Sequence, residues 1–410
     1  MRLSLLFLLL AALSLVAYAQ PPFKVLHAFG LGKDAGGLWS SVVFDQQGNI
    51  YGSSTGGGAY NGGTVFQLSP GQNGQWSEAV LYSFPSFPED GDGPWGGPAV
   101  DASGNVYGTT QEGGLYHRGI AFELSSGPDG WSETVLHNFA GPGDPTCCVW
   151  GNLTLDQYGN VYGTGYSAFE LSPGPSGWSE SILHTFADKN GDGDFPQAGP
   201  ILDDSGNIYG ATTYGGGEPT CPANTCGTVY ELQPVGGAWK EHILHRFGSF
   251  AGDGEVLSSG EVAMDSKGNL YGSTVQGGAN LCVDVGCGTI FKLAPVAAST
   301  GTVWIETILY NFVGGAAGLT PGGSVIVDGA GNLYGTTISG GSPECQCGVV
   351  YELSPKNGGW KYTILHTFTG SDGAQPDANM TFGPDGNLYG TTATGGTYGA
   401  GVVFEIQIAQ

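Results

Sequence analysis

Seven copies of one five-residue string, Gly-Asn-[Ile/Val/Leu]-Tyr-Gly, run through this chain. They begin at Gly48, Gly104, Gly159, Gly206, Gly268, Gly331 and Gly386, at spacings of 47 to 63 residues. A period of that length is the size of one β-propeller blade, and internal repetition constrains the fold more than any other sequence feature.

Each copy divides into four short segments of strand character. A first apolar run, such as Pro98-Ala99-Val100, usually ends in Asp-x-x-Gly-Asn. In such a tight turn the Asp side chain caps backbone N–H groups and Gly or Asn accepts positive φ. The Tyr-Gly-Thr-Thr stretch supplies a second strand, and Val229-Tyr230-Glu231-Leu232 and its equivalents a third. A fourth opens on Trp, as in Trp131-Ser132-Glu133-Thr134-Val135-Leu136-His137. Period-two alternation is expected through all four. The chain ends on a third strand, Val402-Val403-Phe404-Glu405-Ile406, while a fourth-type strand stands alone at residues 23–29. The N-terminal strand is therefore expected to complete the last blade and close the ring, removing two open sheet edges. The fold class is all-β: a seven-bladed β-propeller of four-stranded antiparallel blades.

The full register reads Asp-x-x-Gly-Asn-Leu-Tyr-Gly-Thr-Thr, then Gly-Gly, then Gly-[Thr/Val]-Val-[Phe/Tyr]-x-Leu, then Leu-[His/Tyr]-x-Phe and Asp-Gly. It resembles the bacterial GloVer tandem repeat over essentially the whole of residues 20–410. The resemblance implies a secreted or surface protein with a repeat-built propeller, and it supplies no catalytic residues.

Composition agrees. Glycine is extreme at 76 residues, but 40% hydrophobic residues in alternating runs oppose low-complexity disorder. The formal net charge of −25 repels phosphate backbones, so nucleic acid and anionic membrane surfaces are poor partners. Cations, neutral glycans and basic proteins are compatible. Residues 1–19 read as a signal peptide: Arg2, an apolar run, then Ala17-Tyr18-Ala19. No later run approaches the ~20 apolar residues of a membrane helix. The expectation is one propeller domain over residues 20–410, secreted and monomeric.

Repeat register also filters candidate sites. His27, His137, His184, His245 and His366 share one fourth-strand position, which Tyr82 and Tyr310 fill in the other two blades. Equivalent outer-strand positions lie far apart around a ring and cannot share one metal, so these side chains read as packing between blades. Trp39, Trp95 and Trp150 behave differently. Each precedes a first-strand Asp by six residues, in consecutive blades, which places three indoles at the channel mouth. Gln197 and Asp377 hold the same register position in two further blades. The group is a candidate ligand site for sugar rings or other flat neutral ligands; the alternative is that the indoles plug the channel.

Asp188, Asn190 and Asp192, with Gly193 and Asp194 following, match the oxygen-rich start of a calcium loop, although Gly199 stands where a bidentate acid belongs. A plain Asp-Gly turn is the other reading. The eight cysteines suit an oxidising compartment. Register pairs Cys221 with Cys226, Cys282 with Cys287 and Cys345 with Cys347; Cys147 and Cys148 are expected to form a vicinal disulfide, strained because the residues are adjacent, that is redox-active or braces its loop. No nucleophile elbow, zinc-binding His pair or phosphate loop occurs. His117 lies outside the repeated His position and reads as surface. The expected function is a non-enzymatic binding module for an extracellular glycan or protein. The alternative is a secreted hydrolase or lyase acting on a carbohydrate or lactone at the mouth.

Overall fold

The computed structural model describes residues 21–408, except 31, 86–89, 142, 188–190, 218–220, 222–224, 258–260, 281, 283–285 and 300. Residues 1–19 of the expected signal peptide lie outside the described residues.

Why each repeat starts as it does is clearest at Asp45. Its carboxylate accepts the backbone N–H of Gln47 (2.9 Å) and Asn49 (2.8 Å), the Asn49 amide (2.7 Å) and the Tyr51 hydroxyl (3.1 Å). One side chain therefore satisfies a turn and ties it to the second strand. Asp101, Asp156, Asp203, Asp265 and Asp328 repeat these bonds. In the seventh repeat Gly383 takes the Asp position and Asp385 receives Asn387 and Tyr389 instead.

From these turns grow seven four-stranded antiparallel blades forming a β-propeller, the sixth carrying in addition the short strand Leu319–Pro321 on its second strand Leu333–Ser339. Blade 1 comprises Val43–Phe44, Ile50–Ser54, Thr64–Pro70 and Trp76–Ser83. Blades 2 to 6 follow the same order, with first strands Ala99–Val100, Thr154–Leu155, Ile201–Leu202, Ala263–Met264 and Ile326–Val327. Inner strands have two residues and outer strands up to eleven, as a wedge radiating from a narrow axis requires. Blade 7 uses Thr381–Phe382, Leu388–Thr392 and Val402–Ile406, and its fourth strand is Phe23–Ala28, paired with Val402–Ile406. The ring is thus closed by the N-terminal strand. Among the described residues there is no α-helix.

The motif tyrosine packs between blades. Tyr51, 3% exposed, meets Trp131 of the next blade edge-on at 6.5 Å, and Tyr107 and Tyr209 meet Trp178 and Trp304 likewise. The recurring fourth-strand Trp and second-strand Tyr thus form one inter-blade joint.

Period-two alternation does not run unbroken through the fourth strand. All seven blades carry a β-bulge between the third and fourth strands. In blade 1 Phe66 faces Val80 while Val65 faces Tyr82, so Leu81 is the extra residue. An inserted residue twists the strand and re-aims the side chain after it. That side chain is the repeated His or Tyr.

Candidate functional site

Paired backbone segments on one face order the loops around the axis. Ala35–Gly36 pairs with Gly56–Gly57, Gly91–Asp92 with Glu112–Gly113, and Gly193–Asp194 with Tyr214–Gly215. Each pair ties the loop entering a first strand to the loop between second and third strands. Hydroxyls then link neighbouring blades at the axis. Ser53 Oγ donates to the carbonyl of Gly96 (2.8 Å), Thr164 Oγ1 to that of Ala198 (2.5 Å), and Thr391 Oγ1 to that of Ser40 (2.9 Å).

These links set the residues just before the first strands. Trp39, Trp95, Trp150, Gln197 and Asp377, singled out by register, all line one cavity of about 40 Å3. Trp39 and Trp95 stack with centroids 5.8 Å apart and planes 11° from parallel. Trp150 packs instead on Phe195 at 4.6 Å. Gln197 Oε1 accepts from Thr213 Oγ1 at 3.2 Å. The indoles therefore narrow the mouth as well as line it.

A second tier lies two residues further along each blade, and register alone did not single it out. Ser41, Asn152, Glu261 and Asn379 line both the mouth cavity and the channel beneath it, a cavity of about 610 Å3. Asn152 Oδ1 accepts the N–H of Gly97 at 2.5 Å, and Asn379 Oδ1 that of Ser324 at 2.5 Å, so each amide bridges to the preceding blade. Burial pushes Glu261 up to about 7, opposed by a hydrogen bond from Asn152. Burial alone raises Asp377 to about 6. Below this tier the wall is mostly apolar, with Val43, Ala99, Ile201, Ala263 and Ile326.

The repeated histidines lie elsewhere, between blades near the rim. Each meets an Asp from the loop that follows it, and four of the five also meet a Glu on the fourth strand of the next blade. His137 Nε2 is 3.2 Å from Asp144 and 3.6 Å from Glu180; His184 is 3.3 Å from Asp192 and 3.6 Å from Glu241. His245 stands 3.4 Å from both Asp253 and Glu306, while His27 is looser, 3.9 Å from Asp34 and 4.0 Å from Glu78. Three such ligands could hold a metal ion at each of these four interfaces. The Tyr interface keeps the same arrangement without an imidazole. Tyr82 Oη reaches Asp90 at 2.6 Å and Glu133 at 3.2 Å, reproducing the arrangement with a hydroxyl donor. At five of the seven interfaces a hydrogen-bond donor therefore stands beside two carboxylates. Where the Glu is replaced by Tyr362, Tyr310 stacks on it at 4.4 Å; where Phe23 stands there, His366 stacks on that ring at 3.6 Å. The glutamates are legible in the sequence after the fact: each lies two residues after the fourth-strand Trp.

Of the expected calcium loop, Asp188 and Asn190 lie outside the described residues. Asp192 is committed to the His184 interface and also accepts the N–H of Ala187 at 3.0 Å. Asp194 pairs by backbone with Tyr214. Disulfides join Cys221 to Cys226, Cys282 to Cys287 and Cys345 to Cys347. Cys147 and Cys148 depart from expectation: both are free thiols, with sulphurs 2.9 Å apart. Adjacent residues bring the sulphurs near one another without the geometry a disulfide prefers. Burial, reinforced by Cys148, pushes the Cys147 thiol up, away from a reactive thiolate. His117 is exposed and lines neither axial cavity.

Fold and site together define a repeat-built, seven-bladed β-propeller with a constricted axial channel. The chain belongs to the Gloeobacter/Verrucomicrobia repeat family, whose model matches residues 15–223 and 220–410. No curated protein matches it. Among solved structures it is similar to a Thermus thermophilus protein named as a putative oxidoreductase (glucose dehydrogenase). That match has 14% identity, covers 94% of this chain and 100% of the other, and has a TM-score of 0.42. Among the described residues no helix is long and apolar enough to cross a membrane.

Proposed function

We propose that the protein is a secreted, non-enzymatic binding module that engages an extracellular glycan or protein at the channel mouth. The observation that carries this reading is the convergence of Trp39, Trp95, Trp150, Gln197 and Asp377, from five blades, on one cavity. Flat aromatic surface with a few polar groups is the composition of a recognition site. Most other repeated polar side chains are engaged in turns or blade joints, which leaves the axis as the place where this chain departs from its own repeat. Three disulfides suit an oxidising compartment. The direct test is a glycan array followed by Trp39→Ala, Trp95→Ala and Trp150→Ala. Each substitution is expected to weaken binding roughly tenfold, about 1–2 kcal/mol, with the melting temperature little changed. Unaltered binding in all three rejects the mouth as the site.

One observation favours the hydrolase reading. Glu261 and Asp377 share the mouth cavity, and both titrate above the ordinary carboxyl range, at about 7 and about 6. Two carboxyls in one cleft are the equipment of glycoside hydrolysis. Release of reducing ends from any bound oligosaccharide, abolished by Glu261→Gln, would replace the binding reading by that one. A calcium ion at Asp188, Asn190, Asp192 and Asp194 is a separate proposal; an unchanged melting temperature between excess calcium and a chelator rejects it.

A further inference from the structure

The mouth cavity has an electrostatic character that a neutral ligand does not use. Its lining holds two carboxyl groups, Glu261 and Asp377, and no Lys, Arg or His among the described residues. Asp377 has no hydrogen-bond partner among the described residues, and burial is the sole cause raising its pKa. A partly buried carboxylate without a donor is costly, and the cost is relieved by a cation or a donor brought by a ligand. The same cavity carries the indoles of Trp39, Trp95 and Trp150, whose ring faces attract positive charge.

Size separates the possible occupants. At about 40 Å3 the cavity exceeds the roughly 10–15 Å3 that one water needs but is far below the few hundred cubic ångströms of a typical ligand pocket. A sugar ring cannot sink into it; a group the size of an ammonium or methylammonium can. A metal ion is served less well. Hard cations require six or more oxygens, and two amide oxygens of the lining, Asn152 Oδ1 and Asn379 Oδ1, already accept the N–H groups of Gly97 and Ser324.

We propose that the channel mouth binds an organic ammonium group, such as the amine of a de-N-acetylated amino sugar, with Asp377 and Glu261 opposing its charge and the three indoles walling it. This rests on the binding reading above and names the chemistry of that site. It also agrees with a chain of net charge −25, which draws cations towards the surface.

The test is titration calorimetry on the full mature chain with three probes: a chitosan oligosaccharide, its fully N-acetylated counterpart of equal length, and methylammonium chloride. Calcium chloride alone serves as the metal arm. The chitosan oligomer is expected to bind about tenfold or more tighter than the acetylated one, and methylammonium to compete with it. Asp377→Asn and Glu261→Gln, near-isosteric changes with melting temperature as the folding control, are each expected to erase most of that preference. Equal affinity for the two oligomers overturns the ammonium assignment and leaves the glycan-binding reading standing. Failure of both ammonium probes to bind overturns it as well, while the binding reading stands or falls separately on the glycan array and the three tryptophan variants. A calcium response that depends on Asp377, with no response to either ammonium probe, assigns the site to a metal and overturns the proposal.

Discussion

A methyl group placed on Gly52 would overlap Cζ of Phe66, a ring with no exposure to solvent. The last glycine of the repeated motif is therefore small because the third-strand aromatic lies across it, not because the turn needs it. The turn glycine, Gly48, is the one with positive φ, at 83°. Gly108, Gly163, Gly272 and Gly390 oppose Phe122, Phe169, Phe291 and Phe404 in the same way. Gly52→Ala should cost about 1–3 kcal/mol through forced movement of a packed ring. Denaturant titration should show a lower midpoint at unchanged slope. A variant as stable as the parent would mean that the aromatic layer has room to move. At this scale much was readable in advance: the Asp turn cap and the packing role of the motif Tyr follow from residue type and spacing. The pairing of that Tyr with Trp131 did not, because it crosses from one sheet to the next.

The fourth strand changes character at its bulge. Up to that point it alternates, and beyond it the His or Tyr is turned into the groove between blades. There, at five of the seven interfaces, it sits between an Asp of its own loop and a Glu of the neighbouring strand. Glu306 is the most enclosed example: its side chain is 4% exposed, and that of Asp253 is 0% exposed. Burial, then the neighbouring Asp253, raises the Glu306 pKa, and the same two causes raise Glu133 beside Asp90. A carboxyl whose folded pKa is raised stabilises the fold fully below its unfolded pKa and loses that contribution as pH rises through the folded value. His184, raised overall by Asp192 and Glu241 against its burial, acts in the same direction. Asp192 and Asp372 are lowered by their histidines against burial, and their contribution is lost instead towards acid. The melting temperature of the protein should accordingly fall as pH rises from about 5 to about 9. Glu306→Gln, which carries no titrating proton, should flatten that slope; an identical slope would remove Glu306 from the account. The strand and its Trp-x-Glu spacing were visible in the sequence, but alternation predicted an unbroken strand. The bulge is a property of the closed ladder between two strands, so neither strand shows it alone.

Closure of the ring is the feature on which the whole molecule depends. The N-terminal strand brings Leu26 and Phe29 into the core shared by blades 7 and 1, where Phe29 meets Phe66 at 4.8 Å and has no exposure. Phe29 N–H also donates to the carbonyl of Gly401 at 3.0 Å. Phe29→Ala should cost about 3–5 kcal/mol, as expected for truncating a fully buried ring. Removing residues 21–29 should do more, exposing the third strand of blade 7 as an open edge. Self-association on gel filtration with a depressed melting temperature is the expected outcome; a monomeric, equally stable truncation would show that closure is dispensable.

Blade number, turn chemistry, local disulfides at three loops and the closing strand were determined by the sequence itself. Each is a local or strictly periodic property, and repetition multiplies its signal seven times. The axis was decided by tertiary structure. Register placed Trp39, Trp95 and Trp150 at the mouth. Only packing showed that two of them stack on one another and the third on Phe195, leaving a cavity of about 40 Å3 rather than an open platform. Glu261 and Asn152 carry no signal in the repeat for the same reason. A residue at the centre of a ring is defined by partners from other blades, and their approach is set by blade tilt and inter-blade contact rather than by any one repeat.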